Sequence, residues 1–406
     1  MAKWLSDPGE KNLATGMHRV CPAGETVERI LAQKQRFGIT RLANVTGLDR
    51  IGIPVALAIR PNSRSVAVSQ GKGLSLDHAK ASALMEAVEI WHAETFDHPL
   101  IYSSFNDLRN SHSTINVARL PEVRGAVFTD ALRVLWAESY ELFSGEPRLA
   151  PFEMIHTDYT EASVPGAEAI PSSTNGLASG NHPLEAICHA ICEVIERDAL
   201  SVWHAAQEKG IPLRRIDRES VDGDDCKTLL AMFDAADLDC FIWDMTTDIV
   251  VPTFTAVIRE KDGAVGHIGL GSGTHLDRNI ALRRALTEAA QTRLNYISGS
   301  RDDLFANEYA ARGMAAKHEA FEQMVAAPST LCQFSDVPSV THLTLRADLD
   351  ALLTSLAAVG IEEAAVVDLS REDLDLYVMR VIIPGLEAPH DDNAYIPGPR
   401  AQGVAA

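Results

Sequence analysis

The chain has 406 residues, 46% of them hydrophobic, and its formal net charge at pH 7 is −20. This length predicts two or three units or one large multi-lobed domain, while the negative charge and the aromatic content of 6% disfavour nucleic acid as a partner. Because the sequence contains no apolar run of about 18 residues, no signal peptide and no CxxC spacing among its six cysteines, we expect a cytoplasmic protein with reduced thiols and no membrane span.

The predicted elements begin after a polar N-terminal arm, residues 1–17, which we expect to be flexible. Thr26 is placed to cap a helix over residues 27–36. Two β-rich segments follow at residues 39–48 and 55–61, and we expect these two strands to pair.

Residues 65–94 predict a strand, a turn and a helix in succession. The β-rich run of residues 66–69 leads into a turn at residues 71–73, and Ser75 is placed to cap a helix of about five turns. The Gly-Lys-Gly sequence of the turn lacks the spacing of a Walker motif, so by itself it is a weak indication of phosphate binding.

The helix that follows Ser75 carries three polar side chains, Ser82, Glu86 and Glu89, at positions i, i+4 and i+7. At about 100° per residue, these side chains lie within about 60° of one another and share one helix face. Carboxylates placed in this way can serve as oxygen ligands for a hard divalent cation.

Residues 100–170 predict a connecting lobe that forms part of a sheet. Turns rich in Gly, Pro, Asn and Ser alternate there with short predicted strands at residues 131–140 and 164–170.

A second strand-turn-helix pattern lies at residues 175–200. Ser179, Gly180 and Asn181 suit a turn, Pro183 suits the first helical turn, and neither Gly nor Pro interrupts the sequence from there to residue 200. This predicts a helix of about five turns.

Three carboxylates of this helix, Glu185, Glu193 and Glu196, fall within about 80° of one another. A solvated helix face is the alternative interpretation. The recurrence of an ExxE pair on two predicted helices favours a metal cluster held between helices, with phosphate oxygens completing the ligands of Mg²⁺. Cys188 and Cys192, on the same helix, could be soft-metal ligands or buried thiols.

The third pattern follows a predicted helix at residues 227–237, a strand at 240–245 and a hairpin over residues 251–271. Its turn is predicted at three glycines, and its helix carries three polar side chains on one face. The glycines are Gly269, Gly271 and Gly273, and the polar residues are Arg284, Glu288 and Gln291. Arg suits phosphate and Gln suits a base or a backbone amide, although Arg284 and Glu288 could instead be a surface ion pair.

The last segments are a polar, Ala-rich region at residues 299–330, an αβ unit at 345–368 and a strand at 375–385. His390, Asp391 and Asp392 follow in the tail, where they could ligate a metal, act in acid–base chemistry or simply be exposed.

Five phrases of the sequence, in order and spacing, resemble the YcaO superfamily over about residues 18–400. They are GITRLANVTGLDRIGIPV, GKGLSLDHAKASALMEAVE, SSTNGLASGNHPLEAICHAICEVIERDA, ALRRALTEAAQ and VIIPGLEAPHD. The resemblance implies a YcaO domain at 18–400 between the arm and a tail at 401–406. It also implies an α/β (α+β) multi-lobed fold, with repeated strand-turn-helix units and mixed or antiparallel sheets around a central ATP site.

The resemblance further implies ATP and Mg²⁺ as cofactors, and its motifs assign residues to three roles. The implied magnesium ligands are Glu86, Glu89, Glu185, Glu193 and Glu196. The implied nucleotide-binding residues are Arg19, Thr26, Ser82, Asn181, Arg197, Arg284, Glu288 and Gln291. The implied catalytic residues are Glu196, Arg197 and Arg284. Ile90 stands where the family often has Arg, so a phosphate contact there is lost or supplied elsewhere.

Members of this family use ATP to phosphorylate a peptide amide oxygen after a nucleophile has added. The wording ALMEAVEIWHAE is similar to the TfuA-associated branch, which implies thioamidation of a ribosomally made peptide with a TfuA-like partner that supplies sulfur, and a possible homodimer. An azoline-forming cyclodehydratase is an alternative, but the tail has only Pro397-Gly398-Pro399 where such enzymes carry alternating prolines. A non-catalytic peptide-binding scaffold is a third possibility.

Overall fold

The computed structural model describes residues 7–12, 18–160, 164–261, 266–304, 306–389 and 394–404. The predicted metal or acid–base role of residues 390–392 therefore lies outside the described residues.

Helices and strands alternate along most of the chain. The helices are α1 (Ala23–Ala32), α2 (Leu76–Glu94), α3 (Phe105–Leu108), α4 (Pro183–Glu208), α5 (Asp224–Ala235), α6 (Arg278–Ser298), α7 (Ala306–Tyr309), α8 (Ala311–Ala326), α9 (Leu345–Ala358) and α10 (Pro399–Gln402). The strands are β1 (Arg41–Asn44), β2 (Val55–Ile59), β3 (Val68–Lys72), β4 (Leu100–Ser104), β5 (Arg133–Glu141), β6 (Pro147–Pro151), β7 (Leu177–Gly180), β8 (Leu213–Ile216), β9 (Leu238–Asp244), β10 (Thr253–Glu260), β11 (Gly269–Thr274), β12 (Ser329–Cys332), β13 (Ala365–Asp368) and β14 (Tyr377–Ile382).

The chain divides into two compact units. Unit 1 comprises Met1–Cys21, Val88–Val202 and His342–Val404. Unit 2 comprises Pro22–Ala87, Trp203–Thr341 and Ala405–Ala406.

Unit 1 contains an antiparallel sheet in the order β4-β5-β13-β14-β7, with β6 paired to β5. In this sheet β14 lies beside β7, and Arg380 is opposite Leu177. Residues distant in sequence thus become neighbours next to α4, which begins directly after β7.

Unit 2 contains two sheets. The first is antiparallel, in the order β1-β2-β3, and confirms the predicted pairing of the first two strands. The second has the order β11-β10-β9-β8-β12 and is mixed, since only β12 and β8 run parallel. Its buried face packs on α5 and α6 through an apolar core that includes Phe233, Phe254 and Leu286.

The helix predictions succeed best where the apolar periodicity is long. Helix α2 begins directly after Ser75, whose Oγ accepts the backbone N–H of His78 at 3.3 Å, as predicted for a cap. Helix α4 begins at Pro183 as predicted, but it has 26 residues, more than the predicted five turns.

Two local predictions are wrong. Helix α1 begins at Ala23 after Pro22, so Thr26 is a buried residue inside the helix and not its cap. The predicted strand at residues 164–170 contains a 3-10 turn at Ala167–Ala169 instead, because Gly166 has a positive φ of 98°, which an extended strand cannot accommodate.

Most of the glycines predicted to form turns lie in strands, and Gly73 follows the end of β3. Gly71 is in β3, Gly180 is in β7, and Gly271 is in β11. A Cβ atom at Gly71 would lie 2.1 Å from the carbonyl oxygen of Ala79, and one at Gly271 would lie 2.3 Å from the backbone nitrogen of Ala289. These glycines therefore allow the following helix to pack its backbone directly on the strand.

Within the described ranges, no helix combines the length and the apolar character that crossing a lipid bilayer requires.

Candidate functional site

In unit 1, the end of β7 holds two of the carboxylates predicted to bind magnesium. The backbone N–H and the hydroxyl of Ser179 donate to Oε1 of Glu89 at 2.8 and 2.6 Å. Two residues further on, the backbone N–H of Asn181 donates to Oε1 of Glu185 at 3.4 Å. The strand end thus orients one glutamate from α2 and one from α4.

Glu185 is also bound by the segment before α1. Nη1 of Arg19 donates to its Oε1 at 2.8 Å, and the backbone N–H of Val20 donates to its Oε2 at 3.1 Å. The structure therefore brings Arg19 together with Asn181 and Glu185, although Arg19 and Glu185 are 166 residues apart in the sequence. Since Glu185 is only 4% exposed, these contacts compensate a buried carboxylate.

The remaining carboxylates of α4 are not a solvated face. Glu196 is 6% exposed and Glu193 is half-buried. Arg197 is half-buried directly after Glu196, and its carbonyl oxygen accepts the hydroxyl of Ser201 at 3.1 Å. Buried carboxylates in one stretch of helix are costly unless cations compensate them.

In unit 2, a second set of predicted residues lies beside β3 and β11. Nζ of Lys72 is 2.6 Å from Oε2 of Glu288, and the backbone N–H of Ser272 donates to Oε1 of Glu288 at 3.4 Å. Nε2 of Gln291 donates to Oε1 of Gln70 at 3.4 Å. Glu288 is therefore not simply one partner of an i,i+4 surface pair with Arg284, because it also contacts Lys72 of β3 and Ser272 of β11.

Glu86 belongs to the same set, and its Oε2 accepts the backbone N–H of Gln70 at 3.3 Å. Burial raises the pKa of Glu86 to about 7, although Lys72, the Gln70 N–H and Arg301 act to lower it. In the ligand-free protein, deprotonation of the Glu86 carboxyl is unfavourable. A bound cation would stabilise the charged carboxylate, so this position suits a cation ligand.

The two sets of donors fit Mg²⁺ bound together with phosphate oxygens. Throughout the part of the chain that the structure describes, no three His, Cys, Asp or Glu side chains converge closely enough to hold one ion by themselves. Mg²⁺ typically takes one or two protein carboxylates and completes its octahedral shell with phosphate oxygens and water. One or two glutamates of either set meet that requirement.

The other predicted positions are buried or half-buried. Thr26 is only 3% exposed within α1. Ser82 and Arg284 are half-buried on α2 and α6. Ile90 is 6% exposed, so this position packs as part of the apolar interior.

The two cysteines of α4 are buried, at 9% exposure for Cys188 and 4% for Cys192. Burial raises the pKa of Cys188 well above its ordinary value. The burial of both side chains favours the interpretation as buried thiols.

Three polar residues beside these sets were not predicted from the sequence. Gln70 and Lys72 lie two apart on β3 and therefore share one strand face, a period-2 signal hidden by the assignment of a turn. Arg380 lies within the apolar run of β14 and is 1% exposed. A lone arginine in an apolar strand was the signal that could have found it.

Known proteins are similar to this chain in sequence and in fold. The sequence model of the family described as YcaO cyclodehydratase, ATP- and Mg²⁺-binding, matches residues 70–387. A protein from Rhizobium leguminosarum bv. trifolii, described by its place in the tfuA 3′ region, is 34% identical over 379 residues, covering 91% of this chain and 88% of that protein.

Solved structures confirm the predicted fold class of mixed helices and sheets. YcaO from Methanopyrus kandleri, bound with AMPPCP and Mg²⁺, has a TM-score of 0.71 at 22% identity and covers 91% of this chain and 92% of that one. A heterocyclase in complex with substrate and cofactor has a TM-score of 0.77 at 22% identity over 94% of this chain, which spans 54% of the heterocyclase.

The family model covers most of the chain, and the Rhizobium relative aligns with nearly all of it. The chain therefore belongs to the YcaO family, an ATP-dependent enzyme family whose cofactors are ATP and Mg²⁺.

Proposed function

We propose that this chain uses ATP to exchange the oxygen of a peptide backbone amide for sulfur, with a TfuA-like protein that supplies the sulfur. The observation that carries the proposal is the 34% identical relative described by its place in the tfuA 3′ region, which aligns with 91% of this chain. The substrate is a ribosomally made peptide or protein, the class on which the backbone-modifying members of the family act.

The chemical problem is that a peptide amide is a poor electrophile, because resonance gives its C–N bond partial double-bond character. When bound, Mg²⁺ and ATP supply the phosphoryl group that turns the amide oxygen into a leaving group. In the overall exchange, sulfide adds to the amide carbon, the phosphorylated oxygen departs as inorganic phosphate, and the sulfur loses its protons to solvent and forms the thioamide.

The residues of the chain act by holding charge in position. The proposed ligands of Mg²⁺ are the five glutamates that the resemblance implies, namely Glu86, Glu89, Glu185, Glu193 and Glu196. Ser179, Asn181 and Arg19 keep two of these carboxylates oriented through the hydrogen bonds described above.

Four further side chains complete the assignment. Arg197 and Arg284 are proposed to neutralise the transferring phosphoryl group, and Glu288 and Gln291, held by Lys72 and Gln70, are proposed to bind the nucleotide. Ser82 and Thr26 are kept as nucleotide-binding candidates on the resemblance alone.

Glu196→Gln tests the ATP-dependent step. Glutamine is nearly isosteric but uncharged, so we expect peptide-dependent phosphate release to fall by more than about 100-fold while the melting temperature changes little. Glu208→Gln is the matched control, because Glu208 is exposed at the end of the same helix. Full turnover in Glu196→Gln would reject the assignment, and a wild-type protein that does not bind Mg²⁺–ATP in calorimetry would favour a non-catalytic scaffold.

The product distinguishes thioamidation from its alternative. The purified chain is incubated with a TfuA-like protein, sulfide, Mg²⁺–ATP and a peptide encoded beside its gene, and the peptide is analysed by mass spectrometry. Exchange of oxygen for sulfur supports the proposal, whereas loss of water supports azoline formation, which the cyclodehydratase description of the family favours.

A further inference from the structure

Arg380 is a buried cation whose hydrogen bonds are incomplete. It is 1% exposed in the middle of β14, and its Nη2 donates to the carbonyl oxygen of Ser173 at 2.6 Å. Its Nε and Nη1 have no hydrogen-bond partner among the described residues. Because a guanidinium can donate five hydrogen bonds, most of its capacity is unused.

This arrangement is costly in the ligand-free protein. Burial lowers the pKa of Arg380 to about 10, although Glu193 and Tyr159 act to raise it, so the side chain stays charged at neutral pH. A buried charge with unsatisfied donors is less favourable than an apolar side chain of similar volume. An apolar side chain such as methionine would avoid this unfavourable burial in the apolar strand β14. The presence of arginine there therefore calls for an explanation by function.

The turn that contacts Arg380 is itself short of partners. Within the described residues, the buried atoms Oγ of Ser172 and Oδ1 of Asn175 have no hydrogen-bond partner. The turn is nevertheless fixed, because the backbone N–H of Val381 donates to the carbonyl oxygen of Gly176 at 2.8 Å and a Cβ at Gly176 would lie 2.2 Å from the carbonyl oxygen of Val381. Two arginine nitrogens and a serine hydroxyl are thus left without an acceptor, and the amide oxygen of Asn175 is left without a donor.

We propose that Arg380 is an additional phosphoryl-binding residue, which donates Nε–H and Nη1–H to oxygens of the terminal phosphoryl group of ATP. This inference rests on the proposed function. The forked N–H groups of arginine match the oxygens of a phosphoryl group, which a lysine cannot do in the same way. Glu193, the charged α4 side chain that acts on Arg380, is also a proposed magnesium ligand, so a phosphoryl group bound to that metal restores the charge balance around the arginine.

Calorimetry with two nucleotides tests the inference. Mg²⁺–AMPPCP carries the γ-phosphoryl group, which is the terminal one in ATP, and Mg²⁺–ADP lacks it. We expect Arg380→Met to weaken AMPPCP binding about 10- to 100-fold, the loss of one or two charged hydrogen bonds, while ADP binding is nearly unchanged. Arg380→Lys, which keeps the charge and loses the fork, should give an intermediate loss.

Thermal unfolding separates a binding role from a structural one. If Arg380 serves the ligand, the ligand-free Arg380→Met protein should melt at the same temperature as the wild type or higher, because an uncompensated buried charge has been removed. The control is Arg293→Met, another buried arginine, whose Nε, Nη1 and Nη2 donate to Asp49, to the carbonyl oxygen of His267 and to Glu260 at 2.8, 2.6 and 2.7 Å. It should melt lower and keep the wild-type ratio of AMPPCP to ADP affinity.

Each outcome decides the matter. Equal effects of Arg380→Met on both nucleotides, or no effect on either, would overturn the inference while leaving the proposed function intact. A variant that melts much lower and keeps its AMPPCP affinity would assign Arg380 a structural role. A wild-type protein that binds neither nucleotide would overturn the proposed function, and the inference with it.

Discussion

Two glutamates of this chain, one buried and one half-buried, are stabilised in opposite ways. Glu141 is 2% exposed, and its carboxylate accepts the backbone N–H groups of Phe143, Ser144 and Ala364 at 3.0, 2.6 and 3.2 Å. Burial acts to raise the pKa of Glu141, but these hydrogen bonds outweigh it and lower the pKa below the ordinary value. Glu86 accepts one backbone N–H, and its pKa rises to about 7. Backbone hydrogen bonds satisfy the carboxylate of Glu141, while the carboxylate of Glu86 is suited to bind a cation.

This contrast predicts a pH-dependent effect of Glu141→Gln. Because the folded-state pKa lies below the ordinary value of 4.5, the charged carboxylate stabilises the fold above that pH, and the contribution is lost as the pH falls through the folded-state pKa. We expect the variant to lose about 1–3 kcal/mol in free energy of unfolding at pH 7 and to approach the wild type in acid, measured by urea unfolding. Glu138→Gln, at an exposed position on the same strand, should show no such pH dependence.

At the scale of elements, the recurring unit is a strand followed by a helix packed on a glycine. In β11 and α6, the glycines face the alanines of successive helical turns, and Gly271 lies against Ala285 and Ala289, both fully buried. The side chains that the proposed site uses stand beside this contact on the helix. Close packing thus sets how near the polar face of the helix comes to the strand.

Gly271→Ala should therefore destabilise the fold, since its Cβ would lie 2.4 Å from the carbonyl oxygen of Ala285. We expect a loss of about 1–3 kcal/mol in urea unfolding, because backbone atoms on both sides must shift. Gly47→Ala is the control, as a Cβ there meets no atom within 4 Å, and it should change stability by less than about 0.5 kcal/mol. Equal stability of both variants would show that the strand and helix can separate at little cost.

Helical periodicity predicted which side chains share a face, but not what lies opposite them. The predicted faces of α2 and α4 place Glu89 and Glu185 correctly for contact with β7, because those contacts depend on spacing along one helix. Lys72 and Arg380 were missed, since their positions follow from strand pairing and packing across long sequence separations. Glycines in strands were assigned to turns because the residue preferences of turns carry no information about a helix backbone that packs on the strand.

At the scale of the whole molecule, the C-terminal segment 394–404 is tied to the rest of unit 1 by two buried carboxylates. Glu387, 4% exposed, accepts the hydroxyl of Tyr395 at 2.6 Å and the backbone N–H groups of Gly398 and Ala401 at 2.8 and 3.0 Å. Asp198 of α4 accepts Nε of Arg400 at 2.8 Å. The segment is thereby connected to the helix that carries Glu193 and Glu196.

Glu387→Ala should release this segment. Loss of the shared acceptor leaves several buried donors unsatisfied, so we expect the free energy of unfolding to fall by more than about 2 kcal/mol. Limited proteolysis followed by mass spectrometry should detect early cleavage beyond residue 394, whereas Glu372→Ala, at an exposed position, should leave the digestion pattern unchanged. Protection of the segment in Glu387→Ala would mean that Asp198 and Arg400 suffice to hold it.

The division of the chain has a practical consequence for dissecting the enzyme. The boundaries between Ala87 and Val88 and between Val202 and Trp203 fall inside α2 and α4, so each of these helices begins in one unit and ends in the other. A fragment of the chain that ends at either boundary would lose part of the helix's backbone hydrogen bonds. It would also leave an uncapped helix end. We therefore expect fragments that end at these boundaries to aggregate, whether they are expressed singly or together. Deletions that begin at either boundary should likewise abolish the folded protein.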